Sequence, residues 1–303
     1  MNRGDRRERI FRDDIDREMF LGTLGEACEK TDWQIHAYCL MNNHFHLVVE
    51  TPRANLVDGM KWLLGTYTGR VNRRHKEFGH LFSGRYKAMV VDGSGDGYVK
   101  TVCDYVHLNP ARAGLLKRGK PLSTFRWSSY PAYLGLAGRR PFWLRVDRLL
   151  GEWGVPKDST AGRRVFEERV EARRQGVSTS EFQAVERGWC LGREEFRKEL
   201  LAQVNTPPSP SHYGQAIQEA AVDKAERQVK EGLKRIGLKD EKLAGMRKGA
   251  AQKIELARAL RSQTTVSLAW IASRLRMGSP GYLAWLLGPG PQRRAAAARR
   301  GDA

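Results

Sequence analysis

The stretch YCLMNNHFHLVVETP, Tyr38 to Pro52, sets two histidines separated by one phenylalanine directly after an Asn-Asn pair and at the head of an apolar run. Side chains alternate faces along a β-strand, so His44 and His46 share one side while Phe45, Leu47 and Val49 share the other. One face is apolar and the other can bind something. The preceding run, Trp33 to Met41, also reads as strand, and asparagine at 42 and 43 tolerates the positive φ that a tight two-residue connection demands. Residues 33 to 50 are therefore predicted to form a β-hairpin. Two histidines at i and i+2 of a strand can grip one metal ion, or can simply be two partly exposed strand residues; the rest of the chain has to decide.

Around the hairpin, residues 13 to 30 carry Ile15, Met19, Phe20, Leu24 and Ala27 at helical spacing, with Asp13 or Asp14 as N-cap. A second helix is predicted from about Leu56 to His75, with Met60, Leu63, Leu64, Tyr67 and Val71 as its apolar stripe. Leu81 to Val91 reads as a strand bounded by glycines. The order helix, strand-strand, helix, strand predicts an α+β fold of the ferredoxin-like or RRM-like sort, an antiparallel sheet with helices on one face. Such a fold needs a strand before the first helix, so that strand is either very short here or cut away.

From Gly97, GYVKTVCDYVHLNP reads as a helix with Asp96 as cap and Pro110 marking its end, the proline disfavouring α geometry at Asn109. Val99, Cys103 and Val106 share one face. Tyr98, Tyr105 and Asn109 share another, so a hydroxyl and an amide one turn apart project together.

The formal charge of +19 and a pI near 10.1 point to a polyanionic partner, nucleic acid first. No apolar run approaches the roughly 20 residues of a spanning helix, and MNRGDRRERIF lacks the apolar core of a signal peptide, which predicts a cytoplasmic, nucleoid-associated protein without a membrane partner. Cys28, Cys39, Cys103 and Cys190 form no C-x-x-C pair, arguing against a zinc ribbon or a disulfide framework. The span from Met60 to Val91 sets Lys61, Arg70, Arg73, Arg74, Lys76, Arg85 and Lys87 against Glu77 alone, a one-signed stretch suited to phosphate. Arg85 and Lys87, sharing a strand face, are the foremost candidates for DNA contact, with Arg112 next; Trp127, Tyr130 and Phe82 are candidates to stack on unpaired bases.

With His44-Phe45-His46 and Tyr105 in hand, the chain resembles the REP-associated tyrosine transposases, single-tyrosine members of the HUH (His-hydrophobic-His) superfamily. The resemblance rests on RGDRRERIF (Arg3 to Phe11), AYCLMNNHFHLVVETP, GHLFSGRYKAMVV, YVHLNPARAGLL (from Tyr105) and RWSSYPAY (Arg126 to Tyr133), and covers about residues 1 to 135. Relatives usually read Met-Pro-Asn-His where this chain has Met41-Asn42-Asn43-His44. The resemblance implies that His44 and His46 are metal ligands with Asn109 as third, that the metal is Mg²⁺ or Mn²⁺, and that Tyr105 is the nucleophile. It implies cleavage and rejoining of single-stranded DNA at hairpin-flanked, REP-like sites through a 5′-phosphotyrosine, and leaves room for a homodimer. Cys39 falls across the hairpin from His46, where a thiolate would favour zinc, but Asn109 already offers the third ligand. His107 should point elsewhere on the helix, and Tyr67 belongs to an apolar stripe. Two other readings remain: a non-catalytic DNA- or RNA-binding regulator, and a metal-dependent hydrolytic nuclease.

Residues 136 to 206 read as a mixed helical extension ending in the linker-like NTPPSPSHYG, with a boundary near 206. Residues 207 to 303 read as an all-α domain. Within it, about 266 to 288 resembles a helix-turn-helix: Ser267 to Leu275, a turn at Arg276-Met-Gly278, and Ser279-Pro280 opening the second helix. If this segment reads duplex DNA, Arg274, Arg276, Arg293 and Arg294 grip phosphate.

Overall fold

The computed structural model describes residues 1–117, 119–176, 182–205 and 215–288. It is a mixed α+β structure with a small antiparallel sheet and a mostly helical C-terminal region. The chain divides into two compact units, one built from Met1–Cys28, Asp32–Pro52 and Met60–Ser209, the other from Glu29–Thr31, Arg53–Gly59 and Pro210–Ala303. The expected boundary near residue 206 and the tail arginines Arg293 and Arg294 lie outside the described residues.

The hairpin forms as β2 (Gln34–Leu40) and β3 (His44–Glu50), with Cys39 opposite His46 and Leu40 opposite Phe45. The Met41 N–H donates to His44 O (2.9 Å), leaving Asn42 and Asn43 as the connection. Neither asparagine has positive φ, contrary to expectation. The reason is that the loop carbonyls are held from outside: Asn43 O accepts from Gly4 N (2.8 Å) and Asn42 O from Ile10 N (3.1 Å). Gly4 is required for that approach, because a Cβ there would come within 2.2 Å of Glu8 O.

The strand demanded before the first helix is β1, Asn2–Arg3, paired antiparallel with β3 (Asn2 with Phe45, Arg3 with His44), so the sheet order is β1-β3-β2. Both edges are covered, which removes open strand edges. Leu81–Ser83 runs beside β1 (Asp5 N to Leu81 O, Ser83 N to Arg3 O) with one bridge, Gly4 to Phe82, while Trp127–Ser129 and Trp143–Arg145 lie along β2. The predicted strand from Leu81 to Val91 is thus corrected to this single bridge and a two-residue β4, Val90–Val91, which pairs in parallel with β5, Cys190–Leu191. Gly84, at φ of 64°, interrupts extended backbone between them.

Helix α1 (Asp14–Thr31) is capped by the Asp13 carboxylate, which accepts from Asp16 N, and α2 (Leu56–His75) buries Met60, Leu63, Tyr67 and Val71. In α1 the expected core position Ile15 is exposed; Asp16 is buried instead, accepting from Arg12 N, Arg74 and His75. Helix α3 (Tyr98–Arg112) starts at Gly97, in left-handed conformation with no side-chain cap, so Asp96 is not its cap. It runs through Pro110, and its end is closed by Ala113 N to Asn109 O and Leu115 N to Pro110 O (both 2.9 Å).

Alternation along β3 then sets the layers. Phe45 packs on Phe20 of α1 (ring centroids 4.7 Å), while His46, on the opposite face, meets Tyr105 of α3. The sheet therefore carries helices on both faces, not one. Beyond α3, the N-terminal unit continues through α4 (Tyr130–Leu134), α5 (Asp147–Glu152), α6 (Thr160–Gly176), α7 (Gln183–Arg187) and α8 (Glu194–Asn205). The C-terminal unit contains α9 (Gln215–Arg235), α10 (Lys242–Gly245), α11 (Ala251–Gln263), α12 (Leu268–Arg274) and α13 (Pro280–Leu287) around a core that includes Val229, Leu256, Ile271, Leu275 and Leu283. No described helix is long and apolar enough to cross a membrane.

Candidate active site

Helix α3 lies against the face of β3 that bears the two histidines. The rings of His44 and His46 are 5.1 Å apart between centroids, and His46 lies 5.4 Å from the Tyr105 ring, edge to face. Asn109 sits one turn after Tyr105, nine-tenths buried, and its amide makes no hydrogen bond to a described residue.

Burial holds His44 down at a pKa of about 4, reinforced by the charges of Arg3 and the amino terminus; burial and the neighbouring His44 hold His46 at about 3. Both imidazoles are therefore neutral near pH 7, with lone pairs free for a cation. The His44 Nδ1–H donates to Asn43 Oδ1 (2.7 Å), and Asn43 Nδ2 donates in turn to Arg7 O (3.0 Å), which fixes the orientation of the amide. That contact selects the tautomer whose Nε2 can ligate, the arrangement expected behind a metal-binding histidine. Asn43 escaped the sequence reading, although an amide directly before the first histidine was the available signal. Two imidazoles and an amide oxygen suit a divalent cation that accepts mixed nitrogen and oxygen donors. Among the described residues no three His, Cys, Asp or Glu side chains form a metal-holding group. Cys39, opposite His46, is fully buried, which pushes its thiol pKa far up, and its S–H donates to Met41 Sδ (3.5 Å).

Tyr105 is covered by residues from far along the chain. Phe182, fully buried, lies 5.5 Å from its ring, and the Arg112 guanidinium sits over both rings at 5.0 Å while pairing with Glu186 of α7 (2.6 Å). Burial, then the Glu186 charge, raise the phenol pKa, and the charges of Arg112 and Arg3 oppose them. Phe182 and Glu186 had no sequence signal, since nothing local marks a contact across such a separation.

The remaining candidates separate cleanly. Arg73, Arg85 and Lys87 are exposed, although Lys87 is held by backbone pairing to Met1 and shares no regular strand with Arg85. Arg70 pairs with Glu26 (2.7 Å), Arg74 with Asp13 and Asp16, and Arg274 with Glu226 and Asp240, so these three guanidinium groups are engaged within the fold. Trp127 and Tyr130 are buried: Trp127 lies under Arg17 and Arg126, and Tyr130 packs with His107 and Phe166. Phe82 is half-buried against Phe45 and Tyr67. None of the three is an open stacking surface. His107 points away from the site, its Nε2 2.7 Å from Ser129 Oγ, and Tyr67 donates to Ile10 O (2.7 Å).

No curated protein and no solved structure matches the chain. Residues 1–109 match the family model described as Transposase IS200 like, and the stretch so matched, which ends at Asn109, is the one that carries His44, His46 and Tyr105.

Proposed function

We propose that the protein is a single-strand DNA transposase of the tyrosine HUH type, acting at hairpin-flanked, REP-like sites with a Mg²⁺ or Mn²⁺ ion held by His44, His46 and Asn109. The observation that carries this reading is the cluster of two neutral imidazoles and one tyrosine on facing elements, inside the stretch similar to IS200-like transposases. The sheet order β1-β3-β2, with Phe82 beside β1, supports a reduced ferredoxin-like core spanning about residues 1 to 135. A bound cation would polarise a non-bridging oxygen of the scissile phosphate. Tyr105 Oη attacks phosphorus as it loses its proton, the bond to the 3′ oxygen breaks, and that oxygen leaves as a 3′-hydroxyl once protonated. The 5′-phosphotyrosine retains the phosphodiester energy, so a second 3′-hydroxyl can displace the tyrosine without ATP. Arg73, Arg85 and Lys87, all exposed, would meet the DNA backbone, and the basic helices of the C-terminal unit would add affinity for longer or duplex targets. A homodimer is compatible with this chemistry.

The test is incubation of labelled single-stranded DNA with the protein and Mn²⁺. A denaturation-resistant adduct is expected. His44→Ala and His46→Ala should each abolish cleavage while DNA affinity falls little, because affinity is assigned to the basic surface. Cleavage without adduct would move the assignment to a hydrolytic nuclease, and binding without cleavage to a regulator; the cover over Tyr105 favours the second of these should the first reading fail.

A further inference from the structure

Helix α13 has an exposed face that the core of the C-terminal unit does not use. Leu283 is fully buried in that core and Leu286 and Leu287 pack against it, while Tyr282 and Trp285, three residues apart, remain 39% and 54% exposed. Their rings lie nearly parallel and stacked, 18° between planes and 5.9 Å between centroids, and both remain open to solvent. The Tyr282 hydroxyl end rests by Gly249, where a Cβ would approach it to 3.1 Å.

The surroundings are cationic. Residues 242–288 contain Lys242, Arg247, Lys248, Lys253, Arg258, Arg261, Arg274 and Arg276, against Glu255 as their only acid. Lys248 passes over Gly278, at the turn that opens α13, and Arg247 and Arg276 are exposed. Lys253 is buried and donates to Met246 O (3.3 Å) and Arg276 O (3.1 Å), tying that turn to the loop before α11. The platform is thus fixed to a basic scaffold.

A helix that reads duplex DNA presents amides, guanidinium groups or carboxylates to base edges in the major groove. From Pro280 to Leu287 this helix has none, its side-chain polar groups being the Tyr282 hydroxyl and the Trp285 indole N–H. Flat aromatic faces beside cations are instead the equipment for holding unpaired bases. We propose that the Tyr282–Trp285 face of α13 binds single-stranded DNA by stacking on its bases, giving the C-terminal unit a strand-holding site separate from the chemistry at Tyr105. The choice of DNA rests on the function proposed above.

The experiment uses the full chain carrying Tyr105→Phe, with an unstructured oligothymidylate and a blunt duplex of equal length at matched salt. Trp285→Ala and Tyr282→Ala should each weaken oligothymidylate binding about tenfold while leaving the duplex unaffected, the scale of losing one base–aromatic stack. The slope of affinity against salt should not move, since no cation is lost, and Trp285→Phe should recover most of the affinity, which separates stacking from misfolding. Unchanged oligothymidylate affinity in both alanine variants overturns the proposal, as does an equal loss on duplex. Sedimentation showing that the variants lose self-association instead of DNA affinity overturns it in favour of a contact between copies. Adduct formation by the unmodified protein, assayed in parallel, tests the Tyr105 reading separately: the stacking result stands or falls whichever way that assay turns out.

Discussion

Asn43 holds His44 in one tautomer, which leaves Nε2 as the nitrogen for the proposed cation. Its amide is pinned between Arg7 O and the His44 Nδ1–H, an outer contact of the kind whose loss costs about 10–100-fold in metal affinity. Asn43→Ala should therefore raise the Mn²⁺ concentration needed for half-maximal cleavage by that order, with the rate recovered at saturating metal; an unchanged metal dependence would remove Asn43 from the site. At the other side of the cluster, Glu186 holds Arg112 and raises the pKa of Tyr105. Glu186→Gln removes that negative charge, so tyrosinate forms at lower pH and the alkaline rise in cleavage rate should shift downward. It also frees Arg112 for phosphate. Both partners remain partly exposed, and such pairs are worth about 1 kcal/mol at most, so the expected gain in DNA affinity is no more than about fivefold. A pH profile and affinity identical to the parent protein would show that α7 does not influence Tyr105.

Among the elements, α3 does the most positioning, and its inner face makes a pH-dependent contribution to stability. His107 is buried between Tyr130 and Tyr133, and that burial lowers its pKa to about 3 from an ordinary 6.5. The unfolded chain therefore binds a proton that the folded one refuses. The stabilisation is fully present above pH 6.5 and is lost as pH falls from there toward 3, by roughly 1 kcal/mol per pH unit from this group. His44, His46 and His36, whose values are also lowered by burial, act in the same direction. Urea unfolding should accordingly show a midpoint that drops between pH 7 and 5, with a shallower drop in His107→Gln; equal slopes would mean that His107 is not held neutral. The hairpin and α2 were legible because their periodicity is long and unbroken. Leu81 to Val91 was not, because its pattern is strand-like while its two partners, a two-residue β1 and the distant Leu191, are invisible locally. The proline in α3 misled in the same way: its local preference was outweighed by the burial of nine of the twelve residues from Val99 to Pro110.

At the scale of the molecule, a charge of +19 is readable from composition, but which cations are free is a tertiary fact. Arg70 and Arg74 are taken up by carboxylates of α1 and its cap, Arg112 by Glu186 and Arg274 by Glu226 and Asp240, while the cations that stay exposed among the described residues include Arg73, Arg85 and Lys87 in the N-terminal unit and Arg247, Lys248 and Arg276 in the other. Trp127 and Tyr130 looked like a stacking surface and are core, while Tyr282 and Trp285, in a helix whose sequence is mostly apolar, are exposed. The proposed chemistry turns on one oxygen, Tyr105 Oη. It is tested most directly by digesting the protein after incubation with single-stranded DNA and Mn²⁺ and weighing its peptides. Nucleotide mass attached through a 5′ phosphate to the peptide containing Tyr105 is expected, and no such product from Tyr105→Phe. Attachment to another residue, or an undiminished adduct in that variant, would contradict it.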